Sequence, residues 1–404
     1  MTVAVVWIAL GAAALIYLGL ILAGTLAPAP ADAAVARYFE EPFLSRAAAY
    51  QRATLTVSLL RQVSSLIFLL AVVCAALHFF RKAPSPSLPA AAGYLLLYVA
   101  AGRLLNMPFA FYQGYVIEHR FGLSPQTPAG WFADYGKSTL ISLLLSTAVL
   151  SGFYFLITWH PAQWWFLAGL AFAFFLFLGS YLYPLLIDPL FYRFSELEDR
   201  ELQKEIMALS RKAGIKVERI LVAAAGRRTR KANAYFSGMG GTKRIVIYDT
   251  LLHNFTPEET LAVIAHEMGH WRRGHLRQGL LLSAAGSLAA LYILQLILAE
   301  PGWPADFRVL PLALLFFALL SLAAAPIFNA YSRNREREAD RDALALTGDP
   351  AALVSLYQKL ARANLAVVRP HPLLKTMLST HPPLMERIEM VLRRAEMDET
   401  AGKR

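Results

Sequence analysis

Seven stretches of this chain run for about eighteen residues or more almost without charge, at about 3–24, 63–80, 89–112, 139–158, 163–187, 277–298 and 309–330. A helix rises about 1.5 Å per residue, so each is long enough to cross the roughly 30 Å hydrocarbon core of a bilayer. The composition of the whole chain agrees, being 57% hydrophobic with a mean hydropathy of +0.44. Arg103 interrupts the third stretch, and an arginine at that depth is expected to face protein or a water-filled cavity. The fifth is long and ends at Pro184 and Asp188. The first could be a signal peptide, because Ala27-Pro28-Ala29-Pro30-Ala31 supplies small residues of a cleavage site. Yet no Lys or Arg precedes it and it exceeds a typical signal core, so an uncleaved first span is expected.

Charge in the connecting loops sets an orientation. If the large polar region between spans five and six is cytoplasmic, the loop holding Arg37, Arg46 and Arg52 and the one holding Arg120 and Lys137 are inside too. The N-terminus and the uncharged Thr158–Gln163 turn then lie outside, as the positive-inside rule prefers, with Arg81 and Lys82 on the wrong side. The net charge of +11, from 39 basic and 28 acidic residues, has much of its excess in Arg227-Arg228-Thr229-Arg230-Lys231, Arg272-Arg273 and the C-terminal tail. Beside membrane spans, that excess fits anionic lipid headgroups, and no nucleic-acid motif accompanies it. The single cysteine, Cys74, lies in an apolar span, which excludes a disulfide framework and makes a thiol nucleophile a poor candidate.

Within the polar remainder stands His266-Glu267-Met268-Gly269-His270, in a run that reads as helix. Histidines four apart share one helical face, so both imidazoles reach a single metal ion, and the adjacent Glu267 is placed to take a proton from water there. Zinc suits such a set because a catalytic site needs three protein ligands and one open position. The bland alternative is two surface histidines on an ordinary helix. A third ligand is available downstream in Arg335-Glu336-Arg337-Glu338-Ala339-Asp340. Glu336 would complete the coordination, and Asp340, on the same face, would accept the other ring N–H of a ligand histidine and fix its tautomer. Glu338 is the rival, about 200° round the helix from Glu336. The bland reading of this run is a solvated, charged helix.

Between these motifs, Glu196 to Gly214 reads as an amphipathic helix. Ile220-Leu221-Val222 and Arg244-Ile245-Val246-Ile247-Tyr248 read as strands. Asn233-Ala234-Tyr235-Phe236, followed by the glycine-rich Ser237-Gly238-Met239-Gly240-Gly241, reads as a further strand and turn. Its edge would hold a peptide by backbone hydrogen bonds, or would be plain scaffold. Thr256-Pro257-Glu258-Glu259 is a helix start that launches the histidine helix. The expected fold is therefore mainly α. It is a polytopic membrane protein of about seven helices, with a small α+β zinc-protease lobe of gluzincin type. Residues 1–187 form five spans with cytoplasmic loops, 188–276 the catalytic lobe, 277–330 spans six and seven, and 331–404 a C-terminal helical part supplying the third ligand.

Several motifs occur in one order: Ile117-Glu118-His119-Arg120-Phe121-Gly122-Leu123, Asn233-Ala234-Tyr235, Arg244 to Leu251, and His266 to His270 with Trp271 and Gly274-His275. Glu336-x-x-Ala339-Asp340 and His381-Pro382-Pro383-Leu384-Met385-Glu386-Arg387 follow. In this the chain resembles the type I CAAX prenyl protease family, integral-membrane zinc metalloendopeptidases related to bacterial heat-shock membrane proteases. The resemblance implies seven helices enclosing an intramembrane chamber and one Zn2+ held by His266, His270 and Glu336. It implies Glu267 as catalytic base and Asp340 as a supporting acid, which we read physically as a histidine-orienting group. It also implies a peptide held by Asn233, Ala234 and Tyr235, with His381 and Arg387 approaching from the C-terminal part. His381 is then an oxyanion stabiliser or else a structural turn residue before two prolines. The implied partners are a peptide or protein substrate, prenylated or membrane-bound, and the bilayer; the high Ala, Leu and Arg content points to a bacterial inner membrane. A C-terminal Cys-aliphatic-aliphatic-X peptide and a broad range of membrane or misfolded proteins are the two substrate readings. Outside enzymes, a transporter-like scaffold with a structural zinc site is the alternative. Glu267 argues against it, since a closed structural site needs no base.

Overall fold

A computed structural model describes residues 3–27, 32–80, 84–238, 243–299 and 306–402. The proposed cleavage segment from Pro28, the pair Arg81-Lys82, and Met239 to Gly241 of the glycine-rich turn lie outside the described residues. In chain order the helices begin with α1 (Val3–Leu26), α2 (Ala33–Ala36), α3 (Glu41–Phe79) and α4 (Leu88–Phe111). A π-turn at Tyr112–Ile117 leads from α4 into α5 (Glu118–Arg120), followed by α6 (Pro128–Trp159) and α7 (Trp164–Leu182). A second π-turn, Tyr183–Ile187, leads into α8 (Asp188–Phe191). The polar lobe comprises β1 (Phe194–Glu196), α9 (Arg200–Ala213), β2 (Arg219–Ala223), β3 (Ala234–Ser237), β4 (Arg244–Tyr248), α10 (Asp249–Asn254) and α11 (Pro257–Arg272). Then come α12 (His275–Leu298), α13 (Val309–Thr347), α14 (Pro350–Asn364), α15 (Pro372–Leu378) and α16 (Leu384–Gly402).

Seven helices among the described residues are long and apolar enough to cross a membrane, matching the seven apolar stretches. Three outrun those stretches. α3 begins at Glu41 and α6 at Pro128, because polar helix formers extend each rod beyond its apolar part. α13 is one helix of 39 residues, so span seven and the Glu336 run share one rod about 58 Å long. Much of the apolar surface of these spans is turned outward, as contact with a bilayer requires. Polar side chains in α3, α4, α6 and the first π-turn bond between the spans. Ser65 donates to Asn106 at 3.2 Å and Gln113 to Ser58 at 3.1 Å. Arg103 faces protein, donating to Ser138 at 2.9 Å and Thr139 at 2.8 Å with its guanidinium 4.6 Å from the Tyr135 ring centroid.

The four strands lie in the order β1-β2-β4-β3, with β2 and β4 parallel and both outer pairs antiparallel. One expectation fails: Glu196 is strand, pairing with Leu221, not the start of a helix. The helix starts only after Asp199, whose carboxylate accepts the N–H groups of Glu201 and Leu202, each at 3.0 Å. It stops at Gly214, where φ is +70°.

β3 is an edge strand. Because Tyr248 N–H bonds Asn233 C=O at 3.0 Å, residues 233, 235 and 237 face β4 in the ladder. Alternation then turns the N–H and C=O of Ala234 and of Phe236 away from β4. The segment leading to β3 is gripped by the Ile117–Leu123 motif. Arg230 N–H bonds Leu123 C=O at 2.8 Å, Ser124 Oγ donates to Arg228 C=O at 2.6 Å, and Glu118 accepts Lys231 Nζ at 2.9 Å and the Tyr50 hydroxyl at 2.5 Å. The largest buried apolar cluster joins α9, the sheet, α11, α14 and α16, and thus unites residues on both sides of spans six and seven in one lobe.

Candidate metal centre

α11 starts with a reciprocal cap. Thr256 Oγ1 accepts Glu259 N–H at 3.3 Å, Glu259 accepts Thr256 N–H at 2.8 Å, and Pro257 occupies the first turn. Glu259 also receives Ser355 Oγ at 2.6 Å and Lys359 Nζ at 2.7 Å, which ties α11 to α14. Burial alone would raise the Glu259 carboxyl, but these donors outweigh it and hold it below the usual range. α11 lies unusually close to α13. A Cβ added at Gly269 would stand 2.9 Å from Ala339 Cα and 3.0 Å from Ala339 O, so only glycine permits this approach.

That approach brings His266, His270 and Glu336 together. His266 Nε2 and His270 Nε2 are 3.2 Å apart, and they lie 3.2 Å and 3.3 Å from the two Glu336 oxygens. Glu336 Oε2 is buried with no hydrogen-bond donor aimed at it. Ligand atoms about 2.0–2.1 Å from a tetrahedral zinc ion would stand about 3.3 Å from one another. These separations, the orphaned oxygen and the two-nitrogen, one-carboxylate chemistry fit a zinc-sized cation. Glu267 sits between the cluster and β3. Burial pushes its carboxyl up, while His266, His270 and a backbone hydrogen bond from Phe236 pull it down without cancelling the rise.

Behind the cluster, Asp340 Oδ1 lies 2.8 Å from His266 Nδ1. The same aspartate, 1% exposed, accepts the Tyr357 hydroxyl at 3.1 Å and a two-pronged Arg387 guanidinium, with Nε at 2.9 Å from Oδ2. Burial opposes charge on His266, yet Asp340 and Glu336 outweigh it and lift the metal-free imidazole to about 9. Arg387, expected as a substrate contact, is mostly buried beneath Asp340, while part of it borders a cavity of about 560 Å³. His381 borders the same cavity with Nε2 3.3 Å from Glu336 Oε2. Its loop is held by Arg333, which donates to Lys375 C=O at 3.0 Å and Ser379 C=O at 2.6 Å. Asn233 and Ala234 lie where β3 begins. The Tyr235 side chain points to the sheet's other face, its hydroxyl donating to Asp188 at 3.0 Å.

Glu338 faces away from the cluster, 3.1 Å from His275 Nε2 and 3.0 Å from Arg335. Sequence reasoning gave no role to Gly269, His275 or Tyr357. A helix pattern shows that they are present, not what they touch across the fold.

The model of peptidase family M48 matches residues 196–395, and the model described as CAAX prenyl protease N-terminal, five membrane helices, matches 25–193. A Bacillus subtilis protein named uncharacterized metalloprotease YhfN is 34% identical over 322 residues, spanning 76% of this chain and 74% of that one. A CAAX prenyl protease 1 homolog of Dictyostelium discoideum is 30% identical, covering 72% and 70%. CAAX prenyl protease 1 of Saccharomyces cerevisiae is 28% identical, covering 73% and 70%. The crystal structure of S. mikatae Ste24p superposes with a TM-score of 0.80 at 24% identity, over 96% of this chain and 97% of that one.

Proposed function

Since this chain belongs to peptidase family M48 and is a multi-pass membrane metalloprotease of the CAAX-protease type, we propose that it holds one Zn2+ on His266, His270 and Glu336 and cleaves prenylated C-terminal peptides. The observation that carries this reading is the convergence of those three side chains, with Glu267 between them and the edge strand β3. A bound zinc ion would polarise the scissile carbonyl and lower the pKa of water at the site towards about 7.

The protein's own groups do the rest. The peptide lies along the edge of β3 turned away from β4, where Glu267 already receives the Phe236 N–H, while Asn233 and Tyr235 hold that strand in register from the β4 side. Glu267 receives the proton of the attacking water on its carboxylate and returns it to the leaving amine. Its raised pKa suits a group that must take a proton and release it again. His381, at the cavity mouth, donates from its imidazole to the oxygen that becomes negative as the carbonyl is attacked. Asp340 holds His266 in the tautomer whose Nε2 is free, and Arg387 and Tyr357 hold Asp340. The 560 Å³ cavity beside His381 is lined in part by Leu55, Leu360, Leu365, Val367 and Leu378, which could meet an aliphatic or isoprenoid group, and in part by the polar Gln51, Thr54, Asn364 and Thr380. The catalytic lobe faces the cytoplasm of a bacterial inner membrane, following the distribution of loop charge. The transporter-like alternative lapses with the family.

The test compares detergent-purified wild type with Glu267→Gln on a farnesylated Cys-aliphatic-aliphatic-X peptide and its unprenylated control, with zinc measured in both proteins. The expected result is cleavage of the prenylated peptide alone, abolished in the zinc-replete variant. Equal cleavage of both peptides would replace the CAAX reading with a general membrane endopeptidase. An active, zinc-replete Glu267→Gln protein would remove Glu267 from the role of base.

A further inference from the structure

We propose that His275 and Glu338 form a relay that fixes the tautomer and ring orientation of His270, as Asp340 does for His266. The inference rests on the reading of His270 as a metal ligand. Gly274, at φ +66°, turns the chain sharply between α11 and α12, so His275 folds back onto the last turn of α11. His275 Nδ1 lies 2.9 Å from His270 Nδ1, and His275 Nε2 lies 3.1 Å from Glu338 Oε2. His275 is 9% exposed, and both of its ring nitrogens meet protein partners.

The polarity of this chain of bonds is determined by its far end. Glu338 is an acceptor, and Arg335 at 3.0 Å and the Arg273 guanidinium at 3.9 Å keep a negative charge favourable there. His275 must therefore donate from Nε2, which leaves its Nδ1 as an acceptor. His270 must then donate from Nδ1, which leaves its Nε2 lone pair facing His266 Nε2 and Glu336. With the opposite polarity, His275 Nε2 would set a lone pair against a carboxylate, and His270 would turn an N–H towards the metal cluster. Both histidines of the cluster thus have a carboxylate behind them, one directly through Asp340 and one through His275. His275 and Glu338 are positioning residues, because neither reaches the cluster itself.

The experiment measures zinc affinity of the full-length protein in detergent, by competition with a fluorescent chelator. It uses His275→Phe, His275→Gln, Glu338→Ala and, as the reference, His270→Ala. His275→Phe fills the ring's space but cannot accept a hydrogen bond, and should weaken zinc about ten- to a hundredfold. His275→Gln, whose amide accepts on one side and donates on the other, should recover most of that loss. Glu338→Ala, at a partly exposed position that leaves His275 in place, should weaken zinc in the same direction by a smaller factor. Wild-type affinity in both His275→Phe and Glu338→Ala would overturn the relay, as would a His275→Gln variant no better than His275→Phe. Zinc binding undiminished in His270→Ala would instead overturn the ligand assignment on which the relay rests.

Discussion

Asp340 shows how much the centre depends on one buried charge. Its two oxygens serve His266, Tyr357 and Arg387, and both carboxylate and guanidinium are almost wholly enclosed. Removing one partner leaves the other charge buried and uncompensated, whereas an apolar replacement of both is tolerated far better. Asp340→Leu alone should therefore cost about 3–5 kcal/mol of stability, read as a lower unfolding midpoint in detergent. Adding Arg387→Met should restore most of the midpoint but not zinc affinity, because His266 would still lack its acceptor. Recovery of both would mean that Asp340 contributes packing and charge balance alone. The sequence made Asp340 a candidate through its four-residue spacing from Glu336. It could not reveal Tyr357, which sits in α14 as one apolar-face residue among several.

At the scale of elements, the site is an α11–α13 contact, and its spacing depends on Gly269. The Cβ of Gly269→Ala would press on the backbone at Ala339, with no flexible side chain to yield. Pushing the rods apart should cost about 1–3 kcal/mol and separate the histidines from Glu336. The expected outcome is weaker zinc binding with the helical circular-dichroism signal kept; unchanged affinity would show that the contact relaxes elsewhere. The start of α11 carries a pH dependence. The folded Glu259 carboxyl titrates below its ordinary value, so its contribution is full above the unfolded value of about 4.3 and is lost as pH falls through the folded one. Glu259→Gln should lower the unfolding midpoint at pH 7, with the gap to wild type closing as the pH falls below about 4. A gap that stays constant with pH would assign the effect to packing. The capping pattern of α11 was legible because a cap is local. The start of α9 was misread at Glu196 because β1 pairs with a strand 25 residues further on (Glu196 with Leu221), which no local pattern contains.

At the scale of the molecule, seven of the described helices are long and apolar enough to cross a membrane, and the lobe is assembled from segments on both sides of spans six and seven. The orientation proposed from loop charge can be read with single cysteines, since Cys74 is the one native thiol. In a Cys74→Ser background, Ala162→Cys should react with a membrane-impermeant maleimide on intact spheroplasts. Arg227→Cys should react only after permeabilisation. The reverse pattern would turn the protein over and place the centre on the outer side.

What the sequence determined by itself is what neighbouring residues can determine. Uninterrupted apolar length makes a membrane helix, and His266 and His270 share a face because helical geometry puts positions four apart together. The tertiary structure decided which acid meets them. Glu336, Glu338 and Asp340 lie on one helix within five positions, and their separate fates follow from the angle and closeness at which α13 crosses α11, allowed by Gly269 against Ala339. Glu336 turns to the two histidines, Asp340 to the back of His266, and Glu338 outward to His275. The residues behind them, His275, Tyr357 and Arg387, come from three other helices. Tyr357 and Arg387 meet Asp340 across 17 and 47 residues, and His275 meets Glu338 across 63, so local periodicity carries no record of these contacts.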